Sequence, residues 1–180
     1  MIPPDSRLLL EPVDGSAGPL LRLADDRLTP GQGYGGHAHR DVDVVALVLR
    51  GSLTHRWQRG AVLGAGDVGV LRAGAGLAHD EVAGDDGAHV VQAYLRAADP
   101  GAPPAYDVRA APAGWVDLGR ADARLWLAVL GAAEEVTPPP GLWVVCREGA
   151  VTAGPGDGSV TGPATVCVWQ LDPARPAWAD

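Results

Sequence analysis

The chain has 180 residues, 47% hydrophobic and 20% charged, with 22 acidic against 14 basic side chains and a formal net charge of −8. That length can bury a core in one large domain or two small ones. No basic cluster exists to track a phosphate backbone, so direct nucleic-acid binding is not expected. All 14 basic residues are Arg, and Lys, Asn and Phe are absent, which reads as compositional drift.

Taken in chain order, the N-terminal MIPPDSRLLLEPVDG has no basic stretch followed by a sustained apolar run, so neither a signal peptide nor a membrane span is read there. The expectation is a soluble, cytoplasmic protein. The segment 35-GGHAHR-40 then places His37 and His39 one residue apart, ahead of VDVVALVLRG (42–51) and GSLTHRW (51–57), both strand-like. DVGVLRAG (67–74) reads as another strand, and 76-GLAHDEVAG-84 carries His79 and Glu81 at the same spacing. HVVQAYLR (89–96) follows, then a Pro-rich connector at 97–114 that separates a half with all five histidines from a half with none. ARLWLAVLGAAEE (123–135) has the composition of a helix, and its periodicity does not decide between helix and strand. GLWVVCREG (141–149) and TVCVWQLD (165–172) are strand-like and hold Cys146 and Cys167, read as free thiols, with a disulfide open if their strands pair. Short strands with regular turn signals predict an all-β sandwich or barrel in two units, 1–105 and 106–180.

Side chains at i and i+2 of a strand share a face. His37/His39 and His79/Glu81 would therefore converge, if their strands are neighbours, into three imidazoles and one carboxylate. That donor set suits a first-row divalent metal with open positions for water or substrate. The bland alternative is a set of surface or structural histidines, a real one for a lone His-x-His but weaker for two matched pairs. As ligands the imidazoles must be neutral, so affinity should fall in acid.

The stretch 24–56 and the run GAGDVGVLRAGAGLAHDE (64–81) resemble the N-terminal cupin domain of the pirin family. The resemblance lies in ordered motifs: GYGGHAHR at 33–40, the THR turn at 54–56, and AGAGLAHDE at 73–81. The segment from His89 through Gln92 to Tyr106 continues it, and it thins beyond 106. The resemblance implies an all-β bicupin with a shortened second cupin. It also implies a 1–105 metal-binding domain and a metal-free 106–180 domain. One divalent metal would be held by His37, His39, His79 and Glu81, with Fe(II) first and Mn, Co, Ni, Cu or Zn as alternatives. Some bacterial relatives are quercetin 2,3-dioxygenases, and the Asp25-Asp26-Arg27 run looks closest to those; eukaryotic relatives are transcriptional co-regulators. The implied function is a metal-dependent dioxygenase acting on a flavonol-like substrate with O2, with Glu81 as catalytic base. The alternatives are a regulatory, protein-binding role without turnover and a non-redox cupin such as an isomerase.

Several positions carry two readings. Asp43 matches a family Glu and is read as a hydrogen-bonding neighbour of the metal site. His55 is read as a pocket or supporting residue, as open as a structural role, whereas His89 and Gln92 are read as structural. Asp80 should point away to solvent. The six tryptophans are read mostly as core aromatics in a chain without Phe, with Trp57, in the shortened loop 57-WQRG-60, the one nominated for substrate contact.

Overall fold

Residues 5–13 and 15–174 are described by a computed structural model. Among them there is no helix, in keeping with the β-branched runs and frequent turn residues. Residues 1–4 and 14, part of the stretch in which an N-terminal leader was sought, and Trp178 lie outside the described residues. Among the described residues no helix is long and apolar enough to cross a membrane.

The strands divide between two compact units. The first takes residues up to Glu11 and Leu20–Ala111; the second takes Pro12–Pro19 and the chain from Pro112 onward. In the first unit run β1 (Asp5–Leu10), β2 (Leu20–Leu28), β3 (His37–His39), β4 (Val42–Arg56), β5 (Ala61–Gly64), β6 (Val68–Arg72), β7 (Leu77–Arg96) and β8 (Ala105–Arg109). They form an antiparallel sheet ordered β1-β2-β7-β4-β6-β8, with β3 also paired to β7 and β5 to β4. The Pro-rich connector is thus not loop throughout, because β8 within it pairs with β6.

Two strands are longer than the sequence pattern suggests. VDVVALVLRG and GSLTHRW are one bent strand, β4, whose pairing with β7 shifts between Val48 and Arg50 and between Gly51 and Leu53. Such bulges turn a strand without ending it. Gly51 makes the bend feasible: its φ is +73°, and a Cβ there would lie 2.1 Å from the Gly87 carbonyl oxygen. The His79 segment and HVVQAYLR likewise fuse into the 20-residue β7. Leu28, Val48, Leu53, Leu63 and Val90 pack as one core cluster, and Val44, Leu71, Ala73 and Leu77 as another. Each fully buried aliphatic side chain contributes about 1.5–3 kcal/mol.

The second unit holds β9 (Gly114–Val116), β10 (Ala123–Leu130), β11 (Glu135–Val136), β12 (Gly141–Arg147), β13 (Ala150–Gly156), β14 (Val160–Thr161) and β15 (Ala164–Leu171). A five-stranded sheet runs β13-β12-β15-β10-β9, and β11 pairs with β14. The helix-like segment at 123–135 is therefore strand over its first eight residues. Leu125 and Leu127 are buried on one face, while Trp126 and Leu130 pack on the other against Trp143 and Val166. A strand apolar on both faces loses the alternation that would identify it. Cys146 and Cys167 lie on the paired strands β12 and β15 and are not joined by a disulfide. Burial pushes the Cys167 thiol up to about 12, so it is no nucleophile at neutral pH. Of the described tryptophans, Trp143 and Trp169 are buried, Trp57 and Trp126 pack against core clusters, and Trp115 is exposed beneath the Arg124 guanidinium.

Candidate metal centre

β7 is the axis of the site. His79 and Glu81 alternate with Ala78 and Asp80, so they share one face of the strand. On one side β3 places His37 opposite His79 and His39 opposite Leu77. On the other side β4 places His55 opposite Glu81. Asp80 takes the opposite face, ion-paired with Arg56 at 3.6 Å, with its side chain 29% exposed.

His79 of the second pair joins the first pair, whereas Glu81 groups with His79 and His55 and not with His37 and His39. His37, His39 and His79 each bring a ligand atom within 4.8 Å of the others, and so do His55, His79 and Glu81. His79 belongs to both groups. The His37 Nδ1–H donates to the Gly35 carbonyl at 2.7 Å, so in the neutral ring the lone pair is on Nε2. That Nε2 lies 2.9 Å from His39 Nε2. His79 Nε2 is buried with no hydrogen-bond partner, a costly state for a ring nitrogen unless something binds it. Converging nitrogens and an orphaned one fit a divalent cation, so this His/Glu group can hold a metal ion.

The electrostatics agree. Burial, then the neighbouring His37, lowers His39 to about 4 and His79 to about 3, and His55 also falls to about 4, so all three are neutral near pH 7. Glu81 moves the other way. Burial, partly offset by the Gln92 hydrogen bond, raises it to about 7. Gln92 Nε2 donates to Glu81 Oε2 at 3.2 Å. Asp26 is also buried and raised chiefly by desolvation, and it accepts the Tyr34 hydroxyl at 2.9 Å and the Ser6 hydroxyl.

Three tyrosines wall the group. Tyr34 is tilted near His37, Tyr94 meets His39 edge-on with centroids 5.6 Å apart, and Tyr106 stacks on His55. Trp57 packs with Tyr94 and Tyr106 against Val44, Leu71 and Leu77, and also lines an open groove of about 620 Å³ along the β4–β5 hairpin. A second open groove, about 350 Å³, is lined by His39, Arg40 and Leu77. Asp43 is buried and accepts the Ala98 N–H at 3.4 Å, which ties it to the turn after β7. His89 is engaged with Asp25 at 2.5 Å, a structural tie between β7 and β2.

Gln92, read from the sequence as structural, and Tyr34, Tyr94 and Tyr106, which the sequence reading left unassigned, are neighbours of the site. Gln92 sits on the Glu81 strand, but the turn that brings it back is a bend within β7. The Tyr34 N–H donates to the Glu81 carbonyl at 3.0 Å, which requires Gly33 to lie against β7. A Cβ at Gly33 would fall 2.2 Å from the Glu81 carbonyl oxygen. Gly33→Ala should therefore cost about 1–3 kcal/mol of stability. Urea unfolding checks this, and an unchanged midpoint would mean that the segment yields freely.

Residues 11–95 match the family model described as Pirin. Quercetin 2,3-dioxygenase of Escherichia coli K12 is 30% identical over 91 residues, 48% of this chain and 39% of that protein. A pirin-like protein of Caulobacter vibrioides is 34% identical over 74 residues, 39% of this chain and 32% of that one. Over these alignments the chain spans well under half of each relative's length. Among solved structures, the bacterial pirin YhhW of Escherichia coli in complex with nickel(II) superposes with a TM-score of 0.68 at 20% identity, covering 94% of this chain and 92% of that one. The all-β cupin fold and the likeness to pirins expected from the sequence are thereby shown.

Proposed function

We propose that this chain, pirin-like over residues 11–95, is a metal-dependent oxygenase of the quercetin 2,3-dioxygenase type acting on a flavonol-like small molecule with O2. The observation that carries the reading is the convergence of His37, His39 and His79 beside a buried carboxyl, Glu81, under tyrosine walls. In this reading the three imidazoles and Glu81 hold one divalent ion, Fe(II) first, in a domain spanning 1–105. The 106–180 domain, which has no histidine, is metal-free, and the protein is cytoplasmic. A metal bound there supplies Lewis acidity toward a substrate oxygen and a redox partner for dioxygen.

The rest is chemistry of the chain's own groups. Without a cation, burial raises Glu81 to about 7; a cation beside it would lower that value and favour the carboxylate, the form that accepts a proton. Gln92 engages Oε2, so the proton of a flavonol hydroxyl would be taken at Oε1. Tyr94 and Trp57, packed on Val44, Leu71 and Leu77, would offer flat apolar surface to an aromatic substrate. His55 supports His79 from behind, and Asp43 holds the turn after β7.

Turnover is tested by adding quercetin to the Fe(II)-loaded protein and following O2 consumption and carbon monoxide release. Coupled uptake and release are expected. Metal retained with neither gas changing would remove the oxygenase reading and leave a metal-loaded binding protein, the form in which a protein partner would matter.

A further inference from the structure

The His55–His79 pair carries a consequence that depends on neither substrate nor turnover. His79 Nδ1 and His55 Nε2 lie 2.8 Å apart, and the outer nitrogens, His79 Nε2 and His55 Nδ1, are both buried without partners. Two neutral imidazoles at that distance share one proton. If it sits on His79 Nδ1, then His79 Nε2 is a lone pair and His55 Nδ1 carries the other hydrogen. If it sits on His55 Nε2, then His79 Nε2 carries a hydrogen and cannot bind a cation. From this geometry we infer that His55 is a positioning residue that sets the tautomer of His79, and that a cation on His79 Nε2 commits the His55 Nδ1 to being a donor.

The surroundings hold His55 for this role. Its ring is 1% exposed and stacks on Tyr106 with centroids 3.7 Å apart and planes 5° from parallel. Tyr106 is seated in turn over Gly69, where a Cβ would come within 2.5 Å of its hydroxyl oxygen. His55 therefore cannot swing away from His79 without unstacking a packed aromatic. A ligand's second ring nitrogen usually donates to a carboxylate or carbonyl, which fixes the tautomer one way. An imidazole acceptor leaves both tautomers available, so here the cation makes the choice.

The inference rests on the metal reading above, and the test separates the two. Protein labelled with 15N in histidine is compared with and without Zn(II), as wild type, His55→Leu and His55→Gln. In metal-free wild type, the protonated fractions of His79 Nδ1 and His55 Nε2 should be complementary. With Zn(II), His79 Nδ1 and His55 Nδ1 should both be fully protonated. Zn(II) affinity should fall about 10- to 100-fold in His55→Leu and largely recover in His55→Gln, whose amide oxygen accepts the same hydrogen bond. Both His79 Nδ1 and His55 Nε2 unprotonated in the metal-free protein, or wild-type affinity in a folded His55→Leu, would overturn it. Should the leucine variant not fold, a 10- to 100-fold loss in His55→Gln overturns it equally. A wild type that takes up no Zn(II) would defeat the metal reading, while complementary tautomers would still uphold the pairing.

Discussion

Metal-free Glu81→Gln protein should be more stable than metal-free wild type at pH 8, by about 3 kcal/mol, although it removes a candidate ligand. Glu81 is 5% exposed, and its folded value of about 7 stands above the ordinary 4.5. Below pH 4.5 the carboxyl is protonated in both folded and unfolded chains, and the group costs nothing. Between 4.5 and 7 the folded state keeps a proton that the unfolded state has released, so stability falls as pH rises. Above 7 the full cost of a buried carboxylate is present. Glutamine never ionises and can still accept from Gln92, so it escapes that cost. Thermal melts of the two metal-free proteins should diverge from pH 5 to pH 8 and coincide near pH 4.5. A bound cation supplies the missing counter-charge, so metal should raise the melting temperature of wild type more than that of the variant. Equal melts at pH 8 would mean that Glu81 reaches water.

The largest loss of metal affinity should come from His79→Ala. This residue alone is shared by the two donor groups, so its removal takes one ligand from each and leaves His55 Nε2 unpaired. The expected fall is about 100-fold or more, beyond what loss of a supporting hydrogen bond produces. Asp43→Asn is the contrast. The Asp43 carboxylate receives the Ala98 N–H beyond the end of β7. Its affinity should match wild type while its urea midpoint drops. Direct titration with competing chelator measures both. An Asp43→Asn loss equal to that of His79→Ala would mean that the two residues act on one centre.

The division between what was and was not readable follows distance along the chain. His37 with His39, and His79 with Glu81, are two apart on strands, and a period of two fixes their faces without any tertiary knowledge. What joins the pairs is register, His37 opposite His79, which a single sequence leaves open. The same holds for His55 opposite Glu81, because two bulges in β4 lie between His55 and the start of that strand. Gln92 reaches Glu81 only because β7 bends, and a hydrogen bond across eleven residues of one strand has no periodic signature. Residues 123–130 defeated the pattern for another reason: burial alternates along them, but the less buried face also carries Trp126, Ala128 and Leu130, so the hydropathy hardly does.

The account stands most directly on metal stoichiometry. Protein stripped with chelator and reloaded anaerobically with Fe(II) should retain one ion per chain after desalting. Chain lacking the His79 imidazole should retain none under the same treatment. Stoichiometric iron in both proteins would place the metal away from the His37, His39 and His79 cluster. No iron in either would mean that the three imidazoles converge without forming a metal centre.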